Sequence, residues 1–128
     1  MMHEQDTAIL KALVPVAWAD GTFAEREREM IDALLDAYCA DDREREALLE
    51  YAAQPKTFAD IDLQELSADD RRVLLQHAVL LSFADGSQAP EEAVMIEKLA
   101  KKLRIPDDEA KTLIDASTAR AKKLLHLI

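Results

Sequence analysis

The chain holds two glycines and places both in the same phrase. "WADGTF" occupies positions 18–23 and "FADGSQ" positions 83–88, and Gly21 and Gly86 are the two. A shift of 65 residues lays Asp20 on Asp85, Trp18 on Phe83 and Ala24 on Ala89. The same shift lays Glu27 on Glu92, Met30 on Met95, Ile31 on Ile96 and Leu34 on Leu99. Upstream it pairs Ile9 with Leu74 and Val14 with Val79. An offset that runs ungapped across two helical patterns marks a duplicated helix–loop–helix unit, too short to be a solenoid. Two such hairpins can bury each other's apolar faces around a pseudo-two-fold axis.

The rest of the chain reads as helix. Glycine and proline are scarce, and Ala, Leu, Glu, Asp, Lys and Arg are abundant, a composition of helix formers. At 128 residues one domain with its own core is expected. The fold class is therefore all-α, a compact bundle of about six helices built from two pseudo-symmetric repeats. Repeat 1 covers about 4–53, a connector 54–66, and repeat 2 about 67–128. The first helix runs from about Glu4 to Trp18, with Ile9, Leu13 and Val16 or Ala17 inward. The second runs from about Glu25 to Cys39, with Met30, Leu34 and Tyr38 at i, i+4 and i+8. The third follows Asp41–Asp42, carries Leu48, Leu49, Tyr51 and Ala52, and ends before Pro55. Phe58, Ile61, Leu63 and Leu66 tack the connector to the core. The fourth helix opens on Ser67-x-x-Asp70, a capping-box pattern, and should be the most buried, having few charges after Arg72. Pro90 suits the first turn of the fifth, whose inward set is Met95, Ile96, Leu99 and Leu103. Pro106 separates the sixth, which carries Leu113, Ile114, Ser117 and Ala121.

A glycine just past a helix takes the left-handed conformation and satisfies orphan carbonyls. Gly21 and Gly86 fit that role in loop geometry. The aspartates do not follow from it, because a helix C-terminus disfavours an acid by about 0.3–1 kcal/mol. Loop amides, the N-terminus of the next helix or a cation would each compensate Asp20 and Asp85. With Pro90 as the first helical residue, Glu92 is the third, and by the repeat so is Glu27. If the loops meet, Asp20, Glu27, Asp85 and Glu92 form four carboxylates that need protons, bases or a metal. Such oxygen ligands suit a divalent cation, Ca²⁺, Mg²⁺ or Mn²⁺. The spacing is not that of an EF-hand, and His and Cys do not cluster as zinc requires. A loop that only ends a helix and a loop that holds a cation both remain open readings.

The phrases "AWADGTFAEREREMIDAL" and "SFADGSQAPEEAVMIEKL", in an all-helical chain of this length, resemble the TerB-like tellurite-resistance family. They are also similar to the N-terminal domain of DnaJ-like membrane co-chaperones. The resemblance covers nearly the whole chain and implies an all-α fold of pseudo-symmetric hairpins. It further implies metal association at Asp20, Glu27, Asp85 and Glu92, stress response, and a place in membrane-associated assemblies, without an enzymatic reaction. Two departures stand out: Ala24 and Ala89 replace capping residues, and Arg26 sits opposite Glu91. No "HPD" motif is present, so a complete co-chaperone is excluded.

Other chemistry is weaker. No phosphate loop, nucleophile elbow or Cys/His pair occurs, so no catalytic residue is assigned and an enzyme is not expected. The net charge is −10, all of it in residues 1–66. That argues against nucleic acid and favours cations or a basic protein surface. Residues 98–128 hold eight bases and four acids, which match helix dipoles and leave room for peripheral membrane contact without insertion. The lone Cys39 suits a reducing, cytoplasmic setting and reads as packing. His77 reads as a core-edge histidine satisfied by a neighbour. "EREREMID" and "DDREREALLE" read as salt-bridged exposed faces. Two functions follow. One is a TerB-like binding or scaffold protein with a cation in its paired loops. The alternative is a helical adaptor that docks unidentified protein partners on its acidic surface, with no metal.

Overall fold

The computed structural model describes residues 3–18, 25–83, 88 and 90–124. Six α-helices form within them: α1 (Glu4–Ala17), α2 (Glu25–Ala37), α3 (Asp42–Ala52), α4 (Ala68–Ser82), α5 (Pro90–Lys102) and α6 (Asp107–Leu124). The connector coils into two short 3-10 turns, Phe58–Asp60 and Leu63–Glu65. No described residue is in a strand. The class expected from composition is the class observed.

Local chemistry sets the helix starts. Ser67 Oγ accepts from the Asp70 N–H at 3.1 Å, while the Ser67 N–H donates to the Asp70 carboxylate at 3.1 Å. Asp41 and Glu44 make the same reciprocal pair at the head of α3. Each box satisfies two orphan donors.

The helix ends are more informative. α2 closes with the Ala40 N–H donating to Leu35 O and the Cys39 N–H to Asp36 O. α5 closes with the Ile105 N–H donating to Ala100 O and the Arg104 N–H to Lys101 O. These are Schellman caps. Their left-handed residues are Cys39 and Arg104, both at φ 60°, where glycine is the usual occupant. Cys39 is exposed, so it ends a helix rather than packing in the core.

One hydrophobic core draws on all six helices. α1 touches α2, α3 and α4, and α4 touches α5 and α6 in turn. Every residue from 12 to 17 is buried, so α1 is buried more extensively than α4. The charged first turn of α4 keeps that end at the surface, whereas Lys11 is the one charge between positions 8 and 17. In α2 the fully buried residues are Ile31 and Leu35, while Met30, Leu34 and Tyr38 are half-buried against the core. The inward stripe is thus rotated by one residue from the expected one. Of the set expected for α5, Ile96 and Leu99 are buried, as is Leu103 just past its end, while Met95 is half-buried against the core. Each such leucine or isoleucine contributes about 1.5–3 kcal/mol by leaving water. Ile61 and Leu66 are buried, with Phe58 and Leu63 packed beside them, which fastens the connector.

Arg71 completes that fastening. Its guanidinium donates to the carbonyls of Leu63 (2.8 Å), Leu66 (3.2 Å) and Leu103 (3.3 Å). One side chain ties the connector, the start of α4 and the end of α5 together. Ion pairs link other helices: Arg45 of α3 bonds Asp32 and Asp36 of α2, and Arg72 of α4 bonds Glu109 of α6. The charge-rich stretches pair across helices, not only along one. No described helix is long and apolar enough to cross a membrane.

Candidate functional site

The Asp-Gly phrases begin where α1 and α4 stop. Their aromatic residues are anchors. Trp18 is half-buried, and its indole N–H donates to the Ala52 carbonyl at 2.9 Å, binding the end of α1 to the end of α3. Phe83 is buried at 4% exposure in the corresponding place after α4. The aromatic of each phrase therefore belongs to packing.

Asp20, Gly21, Asp85 and Gly86 lie outside the described residues. What flanks them is defined. Gln88 reaches back, its side-chain amide donating to Ser82 Oγ at 2.8 Å, and Ser82 Oγ in turn donates to the Val79 carbonyl at 2.6 Å. Gln88, two residues before α5, is thereby tied to the last turn of α4. α5 begins at Pro90, so Glu92 is its third residue, and Glu27 is the third of α2. Both are half-buried and engaged by neighbouring groups. The acids stand at the positive ends of their helices, where the dipole favours them. No group of three or more His, Cys, Asp or Glu that would hold a metal is assembled among the described residues. The four-carboxylate set is thus seen only by its two glutamates.

Beside Glu91 and Glu92 a cavity of about 390 Å³ opens between the end of α1, the first connector turn and α5. Pro15, Phe58, Met95 and Val94 make its apolar wall, and Lys98 lies at one side. Val94, 50% exposed, is the large hydrophobic residue left open to solvent among the described residues. An apolar recess edged by carboxylates suits an apolar side chain next to a base. The sequence signal for it was present but silent: Val94 sits off the inward stripe of α5.

His77 has the satisfied environment expected of it. Its Nε2 shares a 2.7 Å hydrogen bond with the Tyr38 hydroxyl, edge-on to that ring. Burial pushes the imidazole below its ordinary value of 6.5. Burial also raises Tyr38, with the carboxylates of Asp6 and Asp70 adding to it. The pair is neutral at physiological pH and joins the end of α2 to α4. In comparisons with known proteins the chain matches no family model, no curated protein and no solved structure.

Proposed function

We propose that this chain is a non-catalytic, TerB-like binding protein of the cytoplasm, made of two equivalent helical halves whose Asp-Gly loops together hold a divalent cation. One observation supports it: the described helices repeat at the spacing of the phrases. α2 and α5 are both 13 residues long and start 65 positions apart. The left-handed caps Cys39 and Arg104 are also 65 apart, and so are their hydrogen bonds. α3 and α6 start at Asp42 and Asp107, again with that offset. α1 and α4 also touch, which is compatible with two halves packed face to face. On this reading Asp20 corresponds to Asp85, and Glu27, third in α2, to Glu92, third in α5. Their carboxylates are hard oxygen ligands of the Ca²⁺, Mg²⁺ and Mn²⁺ type. The stress-linked scaffold role, with Gly21 and Gly86 as turn residues of the two loops, comes from the resemblance and the sequence pattern.

The test is calorimetric titration of chelator-stripped protein with each ion, repeated on Asp20→Asn/Asp85→Asn. Stoichiometric binding that disappears in the double variant is expected. No binding by the unmutated chain, at concentrations a cell supplies, removes the cation from the proposal.

The recess at Val94 favours a second reading, a helical adaptor without metal or catalysis. In it Glu91 and Glu92 meet a basic residue of a protein partner while Met95 and Phe58 receive its apolar neighbour. Val94→Lys abolishing a partner interaction, in a chain that binds no cation in the titration, separates it from the first.

A further inference from the structure

A second cavity, of about 500 Å³, lies between α4 and α6 and is lined by Gln76, His77, Leu80, Ser117, Arg120 and Ala121 together with Ala116. Its origin is legible in the other half of the chain. Counted back by 65 residues, Gln76 corresponds to Lys11, Ala116 to Tyr51 and Ala121 to Lys56. In that half two ammonium groups lie over the Tyr51 ring, Lys11 at 5.0 Å and Lys56 at 4.4 Å from its centroid. In the second half alanine replaces the ring and the space stands open. The volume is within the range of small-ligand sites.

The wall has the chemistry to orient a ligand. Leu80, Ala116 and Ala121 supply apolar surface against which a ring can lie. Ser117 is buried at 8% exposure, and His77 is held in place from behind by Tyr38. Arg120 is exposed and carries the permanent charge of the described wall. Lys122 and Lys123 follow in the same last turn of α6. The end of α6 is thus basic on a chain of net charge −10. A guanidinium pairs with a carboxylate through two parallel hydrogen bonds and also stacks on aromatic rings.

We propose that the α4–α6 groove binds a small aromatic carboxylate, its ring taking the place that Tyr51 fills in the other half and its carboxylate meeting Arg120. The proposal rests on the equivalence of the two halves and not on a cation in the Asp-Gly loops. The test is therefore run in chelator. The full chain, labelled with ¹⁵N, is titrated with benzoate, and amide shifts are followed, with phenol and cyclohexanecarboxylate as controls. Saturable shifts centred on Gln76, His77, Ser117 and Arg120 are expected, with benzoate the tightest of the three. Arg120→Gln, an exposed change that leaves the core intact, should weaken benzoate about tenfold and leave phenol unchanged. Ala116→Tyr should abolish benzoate binding and raise the melting temperature.

Absence of saturable shifts at millimolar benzoate overturns the proposal, whatever the cation titration gives. So does equal binding of cyclohexanecarboxylate, or an Arg120→Gln variant that binds benzoate as the parent does. Capture of a tyrosine-terminated peptide where benzoate fails also overturns it, in favour of a protein side chain as the occupant. Ala116→Tyr that melts lower while benzoate affinity is retained overturns the placement of the ring.

Discussion

Replacing Arg71 with methionine should loosen the connector and the end of α5 at once. The three carbonyls it binds belong to two segments far apart in the chain, Leu63 and Leu66 at the end of the connector and Leu103 just past α5. A hydrogen bond to a charged group contributes about 1.5–3 kcal/mol net. Three do not add, because they share one side chain. Arg71 is half-buried, so water recovers part of the loss, least at Leu66 and Leu103, which are buried residues. The expected cost is about 2–4 kcal/mol, a large part of the 5–15 kcal/mol typical of a domain. Urea unfolding followed by circular dichroism measures it. Hydrogen exchange should show the amides of Ile61 and Leu66, which close the two connector turns, losing protection before the core of α4. Arg71→Lys is the discriminating control, since an ammonium cannot reproduce the planar fork and should recover no more than half the loss. If methionine costs less than about 0.5 kcal/mol, or lysine equals arginine, the three bonds do not fasten the connector.

Arg104 sits at φ 60°, where a side chain costs about 1 kcal/mol over glycine. Arg104→Gly should therefore stabilise the chain by about 0.5–1 kcal/mol, read as a raised urea midpoint at unchanged slope. A lowered midpoint would mean that the side chain matters more than the backbone. His77 predicts a pH dependence. Its folded pKa is depressed, so as pH falls the unfolded chain takes the proton first. The contribution is complete above the ordinary value of 6.5, declines below it, and is gone once pH passes the folded value. Facing groups are the Tyr38 hydroxyl, with Asp6 and Asp70 close to it, and Arg120 across the groove. Unfolding free energy measured from neutral to mildly acidic pH should fall, and His77→Gln should flatten that slope. An unchanged slope in the variant would assign the acid sensitivity to carboxylates instead.

Much of this protein was written in one dimension. Proline, Asx and capping patterns are local, so Ser67, Pro90 and Pro106 place their helix starts without help from the fold. The 65-residue offset is likewise a property of sequence, and it carries the helix bounds of α2 and α5. The Asp-Gly phrases could be found the same way, although Asp20 and Asp85 lie outside the described residues. Other features depend on what a residue meets across the bundle. The inward stripe of α2 falls on Ile31 and Leu35 because neighbouring helices, not spacing alone, choose which of two adjacent apolar rows is covered. Cys39 and Arg104 carry no glycine signal, yet both are exposed in the left-handed region, closed by the Schellman hydrogen bonds of their own helices. Arg71 reads as one more charge in a charged helix start until the connector folds over it. The α4–α6 groove is a difference between two halves, Ala116 where the other has Tyr51, and a missing ring becomes a cavity only when two helices pack around it. Sequence by itself determined the elements and their order, since hydrogen-bond capping and backbone preference act over a few residues. Tertiary structure alone decided which faces were buried, which carbonyls Arg71 would hold and where space was left, since burial and cavities arise between segments far apart in the chain.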